Sequence, residues 1–119
     1  MKVVLTGCTR IVFLIGKYAI KIPTFVEWRL FLHGLLANMQ ERSIYKATLY
    51  KEMFCPVVFS LPGGFLVAMP RVQLLTDAEY SQLDYESLVD YPDYRVPAED
   101  KSDSFGWLNG RIVAIDYGN

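Results

Sequence analysis

Asn109-Gly110, set between two short apolar runs, restricts this chain more than any other stretch. Both residues tolerate the positive φ of a type I′ turn, so the flanking segments, Phe105–Leu108 and Arg111–Ile115, read as a β-hairpin with a two-residue loop. The second run ends in Asp116-Tyr117-Gly118. A strand that delivers a carboxylate at its tip, followed by a glycine that lets the chain turn away, suits the holding of a metal ion. Upstream lies Glu99-Asp100-Lys101-Ser102-Asp103-Ser104, a polar loop dense in carboxylates.

The N-terminal end is equally patterned. Lys2–Leu5 and Arg10–Ile15 are β-branched runs around Thr6-Gly7-Cys8-Thr9, and Gly16-Lys17 turns the chain into Tyr18–Ile22, which Pro23 stops. Antiparallel strands are expected here. Lys21 interrupts an apolar strand. Alternation puts it on one face with Ala19, and the plain expectation is a lysine facing solvent. From Thr24 to Ala47 the period changes to that of a helix, with Trp28, Phe31, Leu32, Leu35, Leu36, Met39 and Ile44 recurring at helical spacing. Thr24 is the expected N-cap, with Glu27 completing a capping box. The stripe Leu32-Leu35-Leu36-Met39 is expected in the core, and Gly34 either weakens the helix or permits close packing on the sheet. Glu41 is a solvated charge or a partner for Lys21.

Lys46–Phe54 reads as a connector. Cys55–Ser60 and Gly64–Met69 read as two further strands joined by a turn at Leu61-Pro62-Gly63-Gly64. Arg71–Leu75 is an extended connector, Thr76 caps a helix reaching about Val89, and Asp90–Pro97 is an aromatic loop. The expected fold class is therefore α+β: a five-stranded antiparallel sheet with one long helix, then a short helix and a C-terminal hairpin. At 119 residues, 52% hydrophobic and 21% charged, the chain is long enough for one domain with a single core.

A formal charge of −1 gives no general attraction to nucleic acid or to an anionic membrane. The first residues are broken by Thr6, Gly7, Thr9, Arg10 and Lys17, so neither a signal peptide nor a membrane anchor is expected there. Cys8 and Cys55 lack metal-ligand spacing and read as reduced packing thiols of a cytoplasmic protein. His33, the only histidine, reads as a helix-surface or packed residue rather than a catalytic one.

In element order, residues 1–69 resemble the small lobe of a protein kinase, and 70–119 a connector, short helix and minimal catalytic-loop segment. Tyr18-Ala-Ile-Lys-Ile resembles the third-strand motif V-A-I-K, with Glu41 following Lys21 at close to the family's spacing. Asp116-Tyr117-Gly118 resembles D-F-G, and Pro97–Ser104 resembles the catalytic loop H-R-D-x-K-x-x-N. The whole is similar to a truncated, short bacterial or phage-type kinase-like or pseudokinase domain. That resemblance implies ATP and Mg²⁺ as ligands. It puts Gly7, Arg10, Ala19, Lys21, Glu41 and Met69 around a nucleotide, Glu99 and Lys101 in catalytic positions, and Asp116 and Ser104 at the metal.

The departures from the family pattern are as specific. Only one glycine stands in the phosphate loop, where Arg10 either compensates by its charge or fills the nucleotide site. Glu99 replaces an aspartate and Ser104 an asparagine. Strand five runs into Pro70, the segment before the catalytic loop is too short for the large lobe's main helix, and the sequence stops at Asn119, so no activation loop or acceptor platform is expected. The expectation is a non-catalytic binding or regulatory module with weak nucleotide binding or none, working through a protein partner or a second copy of itself. Tyr85, Tyr91, Tyr94, Phe105 and Trp107 are candidates to cover or expose the surface left by a missing lobe. A minimal active ATP-dependent phosphotransferase and a generic α+β interaction domain are the alternatives.

Overall fold

A computed structural model describes residues 2–6, 9–92 and 94–118. Gly7 and Cys8 lie outside the described residues. The chain divides into two compact units: the first holds residues through Leu49, Pro56–Arg71 and Gly118, the second Tyr50–Cys55 and Val72–Tyr117.

In the first unit, β1 (Lys2–Thr6), β2 (Arg10–Ile15), β3 (Tyr18–Pro23), β4 (Phe59–Leu61) and β5 (Leu66–Pro70) form a five-stranded sheet of order β1-β2-β3-β5-β4. Every neighbouring pair is antiparallel. The β2–β3 turn is closed by Gly16 at φ 57° between paired Ile15 and Tyr18, a conformation only glycine adopts cheaply. One long helix, α1 (Trp28–Ala47), packs chiefly on β3. The expected α+β class, five-stranded sheet and long helix are thus present, although β4 covers only Phe59–Leu61 of the strand expected over Cys55–Ser60.

Helix α1 differs from expectation in two respects. It starts at Trp28, four residues after Thr24, and Glu27 at its N-cap makes no side-chain cap bond. The cause lies in the strand exit: the Thr24 amide, which a capping box would give to the Glu27 carboxylate, donates instead to the Thr9 carbonyl at 2.9 Å. The second difference is the buried face. Gly34, Ala37, Asn38 and Glu41 are buried, at spacing i, i+3, i+4 and i+7, whereas Leu32, Leu36 and Met39 are exposed. The helical period is as expected and its phase is not. Backbone approach explains the choice. A Cβ on Gly34 would stand 2.3 Å from the Thr9 carbonyl oxygen, and one on Gly64 would stand 2.1 Å from that of Leu35. No leucine fits a surface that close.

The second unit is built on the predicted hairpin. β9 (Phe105–Leu108) and β10 (Arg111–Ala114) pair Leu108 with Arg111, and Asn109 and Gly110 take φ of 53° and 79°. A two-residue strand, β6 (Gln73–Leu74), adds to β9 within the expected connector. The single helix expected from Thr76 to Val89 is instead two, α2 (Asp77–Ser81) and α3 (Tyr85–Val89). Thr76 and Glu79 form a reciprocal capping box at the first. Asp84 breaks the run because its side chain accepts from the Glu86 amide and starts a new helix. The aromatic loop holds a small ladder, β7 (Asp90–Tyr91) with β8 (Tyr94–Arg95).

Tyr117 and Phe54 form this unit's centre, edge to face at 4.7 Å, and the Tyr117 hydroxyl donates to the Cys55 carbonyl at 2.8 Å. Cys55 is buried, as expected of a packing group. Phe105 is buried, while Tyr91 and Tyr94 stack on Tyr50 at 4.9 and 6.0 Å. No described helix is long and apolar enough to cross a membrane.

Candidate functional site

In the first unit a buried carboxylate is held by two cations. Arg10 opens β2, and its register partner across the ladder is Pro23; Val12, two residues on, faces Lys21. Residues two apart on a strand, and residues directly opposite across a ladder, share a sheet face. Arg10, Val12, Lys21 and Ala19 therefore all lie on one face, the one α1 covers. Sequence alternation paired Lys21 with Ala19 correctly. The expectation that this face meets solvent is overturned, since Lys21 is buried.

Glu41 rises from α1 into this face and is wholly buried. Arg10 grips it two-pronged, Nη1 donating to Oε1 at 2.8 Å and Nη2 to Oε2 at 3.0 Å. The Lys21 ammonium donates to the same two oxygens at 3.0 and 3.2 Å. The Gly118 amide donates to Oε2 at 3.2 Å. Gly118 is close because it has no side chain: a Cβ there would stand 2.2 Å from the Ala37 carbonyl oxygen. Its need for glycine is one of space, beyond the chain turn read from sequence.

Asn38 completes the network and was not singled out from sequence. Its Oδ1 accepts from Arg10 at 3.1 Å, and its Nδ2 donates to the carbonyls of Lys21 at 3.1 Å and Gly64 at 2.9 Å. The available signal was its position, one turn before Glu41 on the Gly34-Ala37-Asn38-Glu41 stripe.

Burial pushes the Glu41 carboxyl up, but Lys21 and Arg10 outweigh it and hold the group below its ordinary value. A carboxylate offers about four lone-pair sites, and these donors fill them. Glu41 is thus a poor base and a strong anchor, fixing β2, β3 and α1 to one another. Removing one partner of such a buried pair typically costs about 3–5 kcal/mol.

The other expected site residues lie as follows. Ala19 and Met69 are register partners on β3 and β5, with Met69 buried. Gly7 is outside the described residues. In the second unit, Glu99 and Lys101 sit together on a loop, with Lys101 Nζ 3.6 Å from Glu99 and 3.8 Å from Asp103, all largely solvated. Ser104 is buried, its amide bonded to the Lys101 carbonyl and its hydroxyl without a hydrogen-bond partner among the described residues. Asp116 follows β10 and is half-buried. Among the described residues, no three His, Cys, Asp or Glu side chains gather as a metal-ligand group.

That loop is tied down by side chains sequence reading passed over. Ser102 donates to Asp77 at 2.7 Å, and Tyr80 donates to Asp100. Burial first, and then the Asp100 carboxylate, raise the Tyr80 phenol well above its ordinary value, so it stays a donor.

Compared with protein-family models, with curated proteins and with solved structures, the chain matches none of them.

Proposed function

We propose that this chain is a degenerate, minimal protein-kinase-like module that acts by binding a protein rather than by transferring phosphate, with nucleotide binding weak or absent. The kinase-like part rests on the order β1-β2-β3-α1-β4-β5 together with the Lys21–Glu41 pair. One observation carries the non-catalytic part: Arg10 occupies Glu41 two-pronged, so the carboxylate that would position Lys21 for a phosphate is shared with a second buried cation. Glu99 and Lys101 engage each other on a solvated loop, which is how a surface ion pair behaves. Phosphoryl transfer depends on positioning and charge stabilisation, and Ser104 in the place of asparagine weakens both.

The binding surface we assign is the outward face of α1. Phe25 and Trp28 are 68% and 70% exposed, and Leu32, Leu36 and Met39 are 44–50% exposed. Trp28 stacks on Phe31 and Phe25 meets it tilted, and Phe31 reaches Phe65 at 6.3 Å, so the apolar surface is continuous. Taking roughly 150–250 Å² per aromatic side chain, the face offers on the order of 500 Å², approaching the ~800 Å² each partner buries in a specific interface. At the helix start this face is flanked by two charges of opposite sign, Glu27 and Arg29, both exposed. A two-fold contact must complement itself, and that pairing can. The occupant proposed is a second copy of the chain.

Two experiments test the proposal. Radiolabelled ATP with generic protein substrates should show no transfer, and millimolar ATP with Mg²⁺ should barely move the melting temperature. Robust transfer abolished by Asp116→Ala would make this a minimal kinase. Sedimentation equilibrium should show dimers at micromolar concentration; a chain that stays monomeric into the millimolar range does not use this face as proposed.

A further inference from the structure

We infer that the cavity between the C-terminal half of α1 and the β4–β5 turn binds a small organic anion. The cavity has a volume of about 330 Å³ and lies wholly within the first unit. At about 30 Å³ per water-sized group, that space holds roughly ten non-hydrogen atoms.

Its chemistry is one-sided. Arg42 and Ser43 enter from α1 and Ser60 from β4, while the lining residues include no aspartate or glutamate. Among the described residues, the Arg42 guanidinium and the hydroxyls of Ser43 and Ser60 have no hydrogen-bond or ion-pair partner. Asn38 also borders the cavity, but both ends of its amide are committed to Arg10, Lys21 and Gly64, so it contributes shape rather than recognition. Buried Val67 and the apolar rim of Leu61 and Pro62 suit a small hydrocarbon portion. A guanidinium with two hydroxyls beside an apolar wall matches a carboxylate or phosphate attached to a ring or short chain.

The network around Glu41 shares Asn38 with this cavity, yet the two face opposite tasks. Around Glu41 the Arg10, Lys21 and Gly118 donors meet an acceptor inside the protein. Around Arg42, which is exposed like Ser43, the guanidinium and the two hydroxyls border the cavity with no acceptor among the described residues. That difference separates a structural ion cluster from a recognition site, and it stands whether or not the chain is kinase-like or dimeric.

The test uses the full chain, ¹⁵N-labelled, titrated separately with benzoate, phenyl phosphate, inorganic phosphate and neutral benzamide. Benzoate or phenyl phosphate should move the Ser43, Ser60, Gly63 and Gly64 amides saturably, and the stronger of the two identifies the anionic group preferred. Arg42→Gln, a surface change that leaves the spectrum otherwise folded, should weaken that binding about tenfold or more, the loss expected for a charged hydrogen bond. Ser43→Leu, which fills the mouth, should abolish it. No saturable shift with either organic anion overturns the inference, as does equal affinity for Arg42→Gln or for benzamide.

Discussion

The two faces of helix α1 reverse the usual arrangement. Inward it presents glycine, alanine, asparagine and glutamate; outward it presents Trp28, Leu32, Leu36 and Met39. An ordinary surface helix buries its apolar stripe because burial stabilises by roughly 25 cal/mol per Å². Here the inward face gains from close backbone approach and from an ion cluster sealed by Asn38 and Gly118, and the apolar stripe is left for something else. The inward face holds the fold, and the outward face leaves its apolar side chains exposed. Substitutions that treat the two faces alike should therefore have very different consequences.

The largest effect is expected at Glu41. Glu41→Ala strands Arg10 and Lys21 in a buried site and should cost about 3–5 kcal/mol, measured by urea denaturation at neutral pH. Glu41→Gln keeps the shape and should still lose most of that, since a neutral amide cannot compensate two cations. The pH dependence follows from the lowered carboxyl. A group whose folded value lies below its ordinary one stabilises at any pH above the ordinary value, near 4.5, and that contribution is lost as pH falls through the depressed folded value. The stability gap between wild type and Glu41→Gln should be constant from neutral pH down to the ordinary carboxyl range and close only below it. A gap that closed near neutrality would mean the carboxyl is not held by its cations.

A smaller loss is expected at Gly34. On an isolated helix Gly→Ala gains about 1 kcal/mol, but the added methyl here meets a backbone carbonyl at 2.3 Å that cannot swing away. Overpacking of this kind costs about 1–3 kcal/mol. Gly34→Ala should therefore destabilise despite its better propensity. A more stable Gly34→Ala protein would show that the close approach of α1 to the sheet is wrong, and with it the reason for the helix's phase.

How far this was legible in the sequence divides along physical lines. Local signals survived: Asn109-Gly110 demanded positive φ and took it, and the β-branched runs became the expected strands. Periods survived too, in α1 and in the shared face of Ala19 and Lys21. Phase did not. Which face of a strand or helix is covered depends on what arrives from elsewhere in the chain: the spacing offered Glu41 as a partner for Lys21, and the two do meet at 3.0 Å, but nothing local to β3 turned Lys21 inward or brought Arg10 to the same carboxylate. The split of α2 from α3 at Asp84 was a capping signal overlooked, since that residue type competes for backbone amides wherever it stands. Two-residue β6 carries no pattern long enough to read.

The smallest stability effect, and the one that most sharpens the comparison, should come from the outward face. Leu32 and Leu36 project where half their surface already meets water, so Leu32→Gln with Leu36→Gln removes little burial within one chain and should shift its stability by no more than about 0.5 kcal/mol per site. The inward counterpart, Ala37→Leu, faces the same helix geometry from the packed side and should cost about 1–3 kcal/mol. The outward double variant should nonetheless change association. If two copies dock through α1, the wild-type melting temperature rises with protein concentration, because dimerisation stabilises the folded state by mass action. The double variant should lose that dependence while matching wild type at high dilution. A wild-type melting temperature independent of concentration would leave α1's outward leucines without the partner assigned to them, whereas a double variant as unstable as Glu41→Ala would place those leucines in the core after all.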